Sequence, residues 1–280
     1  MHESIWALQS YVFFGAMASF AVAELFLPLR QQSERLDRRW TTNLSLLVLN
    51  LGLVRILAPV SAFLVAQEAA RSGIGLLNIV DVPFWLAVVA GMLAIDAGKY
   101  CEHRLLHGVP FLWRLHLVHH SDTGADFTTA ERHHPIEALI GGLTISAVTL
   151  AVGVPPLAVA VFTVLASVDA LFAHSNLAVP PHTDRWLRLF IVTPAFHNVH
   201  HSAARRETDS NFGQLLTVWD RMFGTYRRST PEQDAARVIG LEYLRDERSA
   251  RLDRVLLAPF LRIEAESPRA QPGSETPAST

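Results

Sequence analysis

Between Ser4 and Leu27 the only charged residue is Glu24, and between Asn43 and Ala66 the only one is Arg55. A stretch of about 20 such residues is long enough to cross a bilayer, and in hydrocarbon the chain can satisfy its backbone donors and acceptors only as a helix or a closed barrel. Three shorter runs follow, Pro83 to Asp96, Ile136 to Val152 and Leu157 to Phe172, each nearly free of charge. By length alone these three read equally well as spans or as buried core helices. The surroundings favour spans. Charges concentrate between the runs, at 30–39 and 99–114, and Trp6, Trp40, Trp85, Trp113 and Trp186 fall at or near their edges, where an amphipathic ring suits the headgroup layer. Half of all residues are apolar, more than an ordinary soluble domain of this length carries. Met-His-Glu-Ser lacks the basic leader of a secretory signal, and the apolar stretch behind it is too long for one. The expected fold is all-α, a polytopic membrane bundle of four to five apolar helices. One pair of them is a hairpin over 136–173, turned at Gly153, Pro155 and Pro156.

Arginine supplies an orientation. The 28–40 loop carries Arg30, Arg35, Arg38 and Arg39, whereas 67–82 carries only Arg71, so the former is expected in the cytoplasm. Alternating crossings then place 99–135 and everything after His174 on that same side. The organisation expected is N-terminal transmembrane helices over 1–98, a catalytic region over 99–262 that includes the hairpin, and a polar tail over 263–280 with too little apolar surface to fold. Near-balanced charge with no basic stripe argues against a nucleic-acid partner, and the lone Cys101 excludes an internal disulfide and a cysteine-based zinc site. Lysine occurs once, at Lys99, against abundant arginine and alanine, a composition that suggests a bacterium and hence an inner membrane. No repeat of solenoid period is present.

Eight of the thirteen histidines fall in three short stretches: HRLLH at 103–107, HLVHH at 116–120 and HNVHH at 197–201. On a helix, residues three and four apart share a face, so His103 and His107, then His116, His119 and His120, then His197, His200 and His201 form three one-sided imidazole clusters. Neutral imidazoles gain little from one another and protonated ones repel. A metal cation resolves this by accepting each lone pair. Eight nitrogens exceed the coordination of one ion, so two ions are expected. The hairpin's two crossings return the chain to the side it left, which brings HNVHH beside the other two boxes at the helix ends. His174, at the end of the second hairpin helix, is a further candidate ligand. His134, ahead of Pro135, is either a ligand or a structural residue at the helix entry. His2, His133 and His182 read as ordinary surface or hydrogen-bonded histidines. Asp96 shares a helix face with Tyr100, His103 and His107, and either supports a ligand imidazole or pairs with Lys99 or Arg104.

The ordered set Asp96-x3-Tyr100-x2-HRLLH, Trp113-x2-HLVHHS, ERHHPIE, HNVHHS and NFGQLLTVWDRMFGTY resembles the fatty acid hydroxylase and sterol desaturase superfamily of integral-membrane oxygenases. The resemblance covers about 96–226. It implies a non-heme di-iron centre, with zinc a substitute in purified protein, that uses O2 and two electrons to hydroxylate or desaturate a lipid. Its ligand boxes fall on His103 and His107, on His116, His119 and His120, and on His197, His200 and His201, with His174 as the additional histidine. No fused haem domain and no Gly-rich dinucleotide fingerprint is seen, so a separate electron-transfer protein is expected. NFGQLLTVWDRMFGTY itself alternates apolar and polar residues in the manner of a helix lying along the interface or capping the metals. Other classes fit less well. An intramembrane zinc hydrolase wants H-E-x-x-H, and Arg104 occupies the glutamate position. A metal transporter wants ionisable residues inside its spans, and a bis-histidine haem protein wants paired histidines in mid-membrane.

Overall fold

The computed structural model describes residues 2–31, 36–56 and 61–261; the expected tail and Arg35 lie outside them, as does the side chain of Trp6. Among the described residues every regular element is a helix. The long ones are α1 (His2–Phe26), α2 (Leu36–Ile56), α3 (Ala62–Ser72), α5 (Phe84–Gly108), α6 (Pro110–His120), α7 (Pro135–Val152) and α8 (Pro156–His174), with the short α4 (Leu76–Ile79) between α3 and α5. The remainder is a cap of short helices: α9 (Pro181–Leu187), α10 (Pro194–His200), α11 (Arg205–Thr208), α12 (Val218–Met222), α13 (Pro231–Ala236) and α14 (Leu252–Leu257). Four helical stretches are long and apolar enough to cross a membrane: Ala7–Phe26, Phe84–Gly108, Pro135–Val152 and Pro156–His174.

Two of the expected runs come out differently. Asn43–Ala66 is divided between α2 and α3, with 57–60 outside the described residues. Pro59 lies in that gap, and a proline inside a helix removes a hydrogen bond and collides with the preceding turn. The Pro83–Asp96 run is the first half of a longer helix. α5 passes unbroken across residues 98–99 and carries HRLLH on its last turns, so the first box is the continuation of a span.

The bundle packs closely through small residues. A Cβ on Gly98 would come within 2.7 Å of Val148, and one on Gly91 within 2.7 Å of Val154, so α5 sits tightly on α7 and on the turn of the hairpin. Gly153, at φ 75°, ends α7 in the left-handed conformation that glycine adopts without steric cost, and its amide closes on Thr149 O. Ala66, Ile95, Ala158, Val159 and Phe162 form the core where α3, α5 and α8 meet. α1 runs in the same sense as α8. Its Gln9 reaches Ala160 O at 3.4 Å, and its Glu24 accepts from the amides of Asn176 (2.8 Å) and Phe127 (2.9 Å) at the other end. The C-terminal ends of α1, α5 and α8 and the start of α7 therefore meet under one cap.

Candidate metal centre

A buried polar knot holds the second box in place. After α6 the chain turns through Ser121–Ala125 into a one-turn 3-10 helix capped by Asp126, whose carboxylate accepts from Thr128 N at 2.9 Å. Arg39 from α2 grips this turn, reaching Asp122 at 2.5 and 3.0 Å and Asp126 at 2.9 Å. Arg132, 1% exposed, donates to Val118 O, Asn43 Oδ1 and Ser121 Oγ at 2.8, 3.0 and 2.9 Å. Burial alone would raise the Asp122 carboxyl, but the Arg39 guanidinium, with Arg132 and Asn43, holds it well below the usual carboxylate range. The end of α6 is thereby fixed from below by two arginines.

All nine expected ligands converge, and they do so as two groups. His103, His107, His116, His120 and His200 place one nitrogen each within 4.8 Å of one another, as do His119, His174, His197 and His201. Within the first group the Nε2 atoms of His103 and His116 are 3.1 Å apart and those of His120 and His116 are 3.2 Å apart. In the second, His174 Nε2 lies 3.1 Å from His119 Nε2 and 3.0 Å from His197 Nε2, and the Nε2 atoms of His201 and His197 are 3.1 Å apart. Two nitrogens bound at about 2.1 Å to one ion and roughly 90° apart would be separated by about 3.0 Å. The spacing is that of ligands on a shared centre.

The outer nitrogens decide the point. His103 Nδ1 donates to Phe212 O at 2.8 Å and His116 Nδ1 to Glu137 Oε1 at 2.7 Å, which puts both ring protons on Nδ1. Two neutral rings in these tautomers present bare Nε2 lone pairs to each other, a contact that is repulsive unless a metal ion or a shared proton lies between them. His200 Nδ1 donates to Ser210 O at 2.8 Å and His107 Nδ1 to Asp209 at 3.3 Å, leaving the Nε2 of each buried with no partner. Burial, reinforced by neighbouring imidazoles, holds His119, His120, His197, His200 and His201 well below the ordinary histidine value, so they stay neutral with lone pairs free. Neutral imidazoles, unpartnered buried nitrogens and ligand-like spacing all fit two transition-metal ions. No cysteine joins either group, and the carboxylates stand behind the rings rather than among them.

The supporting residues differ in part from expectation. Asp96 forms no hydrogen bond or ion pair with an imidazole, Lys99 or Arg104 among the described residues. It accepts from the amides of Leu215 and Leu216 (both 3.2 Å) and from Trp219 Nε1 (2.7 Å), and so ties the 213–219 segment to α5. That segment is not one amphipathic helix. Only Val218–Met222 is helical, because Asp220 turns back to accept from the amides of Phe212 (2.8 Å) and Gly213 (2.7 Å). His134 lies outside both groups: its Nδ1 caps α7 by accepting from Ile136 N at 3.2 Å, and its Nε2 meets Leu256 O at 3.3 Å. His133, read as ordinary, stacks on His119 with ring centroids 4.4 Å apart and donates to Glu137 at 2.9 Å. Glu137 and Asp209 were not expected. They come from a helix start and a loop, where no periodicity announces a partner; the glutamate three residues after His134 in HHPIE was the one available signal.

A cavity of about 320 Å³ opens onto both groups, with His103 and His116 of the first and His119, His174 and His197 of the second in its wall. Lys99, Glu102, Glu131, His133 and Gln214 bring polar groups into that wall beside Leu106, Ala130, Ile145 and Ala170. Ala138 and Ile145 also line a second, largely apolar cavity of about 230 Å³ that extends along α7 between α2, α3 and α8. The cavity at the imidazoles thus adjoins an apolar groove.

Helices long and apolar enough to cross a membrane, ending in a polyhistidine cluster, narrow the class of protein, and the sequence comparisons say which one. The profile of the fatty acid hydroxylase family matches residues 88–225, which places that region in the fatty acid hydroxylase superfamily. It is 33% identical to the alkylglycerol monooxygenase of Danio rerio over 151 residues, 54% of this chain and 31% of that protein. Over 246 residues it is 28% identical to the ornithine lipid hydroxylase OlsE of Rhizobium tropici, covering 82% of this chain and 70% of that protein. A third relative, the fatty acid hydroxylase vlmA of Lecanicillium sp, is 29% identical over 180 residues. The chain spans about a third of the length of the alkylglycerol monooxygenase it matches. No solved structure matches it.

Proposed function

We propose that this protein is a membrane-bound non-heme di-iron oxygenase that hydroxylates a lipid, drawing O2 and two electrons from outside the chain. One observation carries the reading: nine buried or part-buried imidazoles from separate elements face inward in two groups, and both groups open on one cavity. Two irons, held by His103, His107, His116, His120 and His200 and by His119, His174, His197 and His201, supply the oxygen activation that no side chain can perform. The chain's own residues do the rest. Phe212 O, Ser210 O, Ala170 O, Glu137 and Asp209 fix ring tautomers so that Nε2 faces the ion. The apolar groove beside α7 holds a hydrocarbon chain, and the cavity at the imidazoles takes the part of the lipid that reacts. The names of the relatives favour hydroxylation over desaturation, and the arginine-rich loops favour a cap on the cytoplasmic side of a bacterial inner membrane.

The zinc-hydrolase reading fails on Arg104, which is exposed and lies over the Tyr100 ring rather than in the cavity. The test is lipid mass spectrometry of cells carrying the wild-type chain against cells carrying His119→Ala. A lipid heavier by one oxygen in the wild type alone is the expected result. Identical lipid profiles, with both proteins present in the membrane fraction, would refute the proposal.

A further inference from the structure

The four residues Asp209–Phe212 lie directly over the five-histidine group. Phe212 O and Ser210 O take the outer N–H of His103 and His200, and the Asp209 carboxylate takes that of His107. The first two acceptors are buried main chain. The third is a side chain left 45% exposed, while the His107 side chain itself is only 2% exposed. Among the described residues, no other imidazole of either group is hydrogen-bonded to an exposed side chain. His107 is therefore the ligand that communicates most directly with the surface.

The surface at that point is positive. Arg205, 79% exposed, reaches Asp209 at 3.4 Å, and Arg206 beside it on α11 is exposed. Asn211 accepts from Arg227 N at 2.7 Å, which brings exposed Arg227 and Arg228 against the same segment. The nearby acids are already engaged, Asp209 by His107 and Arg205, and Glu207 by Arg237. Arg206, Arg227 and Arg228 make no ion pair among the described residues. None of these groups lines the cavity, so the arginine face and the lipid chamber approach the histidines from different directions.

We infer that this face docks an acidic one-electron carrier protein and that reducing equivalents enter through Asp209 and His107. The inference rests on the oxygenase reading. It supplies what the reaction R–H + O2 + 2 e⁻ + 2 H⁺ → R–OH + H2O lacks: two electrons, one from each of two reduced carriers. A concentrated positive face steers an acidic partner electrostatically, at a rate and affinity that fall with ionic strength.

The experiment uses the full chain in detergent and an acidic plant-type [2Fe–2S] ferredoxin as probe. Binding is measured by calorimetry at low and high salt. Turnover is driven either by that ferredoxin with its reductase and NADPH or by reduced methyl viologen, which needs no docking face. Arg206→Glu with Arg228→Glu, two surface changes, should weaken ferredoxin binding about tenfold or more and abolish most of its salt dependence. Viologen-driven turnover and the melting temperature should not change. Equal affinity in wild type and variant would overturn the inference, as would a wild type that turns over with viologen yet never binds or accepts electrons from ferredoxin. Failure with both electron sources would instead count against the oxygenase reading.

Discussion

Glu137 offers a sharp test of how the centre is held together. It sits in the first turn of α7, 4% exposed, and one of its oxygens accepts both from His116 (2.7 Å) and from His133 (2.9 Å), while the other has no partner. In Glu137→Ala the His116 ring loses the acceptor that keeps its proton on Nδ1. A hydrogen bond to a charged group contributes about 1.5–3 kcal/mol. If most of that is lost from the metal-bound state, affinity falls about 10–100-fold, the range typical for removal of a partner behind a ligand histidine. The assay is dialysis of purified protein against graded chelator, with bound metal counted by mass spectrometry and helicity followed by circular dichroism. Glu137→Ala should release one of two ions at chelator levels about 10–100-fold lower than the wild type requires. Glu137→Gln should fall between, because its amide oxygen still accepts but its NH2 takes a buried position without an acceptor. His133→Phe keeps the stack on His119 and leaves the His116–Glu137 bond alone, so it should resemble the wild type. Unaltered chelator resistance in Glu137→Ala, with helicity intact, would refute the assigned role.

Because His200 belongs to one group and His197 to the other, His200→Ala and His197→Ala should each leave about one ion per chain, and the double variant none, by metal analysis. Arg132→Met removes a buried guanidinium from acceptors on α6, α2 and the cap, and should destabilise the protein by about 3–5 kcal/mol in denaturant titration. Metal-free protein should lose stability on mild acidification: His119, His120, His197, His200 and His201 titrate below their unfolded value of about 6.5, so below that pH the unfolded chain binds protons the folded chain does not. Each contributes up to about 1.4 kcal/mol per pH unit, fully retained above pH 6.5 and lost as pH falls, and a melting temperature that is flat from pH 7.5 to 5.5 would contradict this.

The histidines were legible because a ligand box is a local pattern: spacings of three and four put imidazoles on one helix face whatever surrounds them. The return of HNVHH to the other boxes followed from the proline turn at 153–156, which forces two crossings. What sequence did not reveal comes from irregular chain. Asp209, Ser210 and Phe212 act from a loop, two of them through main-chain carbonyls that any residue would provide. Asp96 shared the right helix face but was claimed by amides of a segment 119 residues further on, a competition that spacing on α5 cannot disclose. Arg39 was read only as a membrane-orientation signal and Arg132 was given no role of its own, yet the two are the buried scaffold of the second box.

The division into two groups has a geometric origin in the boxes themselves. Successive helical residues turn by about 100°, so in H-x-x-H-H the first and fifth residues lie about 40° apart while the fourth lies about 60° to the other side. One helix can therefore serve two centres, with its i and i+4 imidazoles on one and its i+3 imidazole on the other. Both such boxes do this in opposite senses. His116 and His120 join the first group and His119 the second; His197 and His201 join the second and His200 the first. HRLLH has only the i, i+4 pair and adds it to the first group, while His174 completes the second. Each H-x-x-H-H box thus straddles both centres, which fixes the centres relative to each other through two short helices instead of through the bundle. Displacement of α6 or α10 is consequently expected to disturb both ions together, whereas displacement of α5 disturbs the first alone.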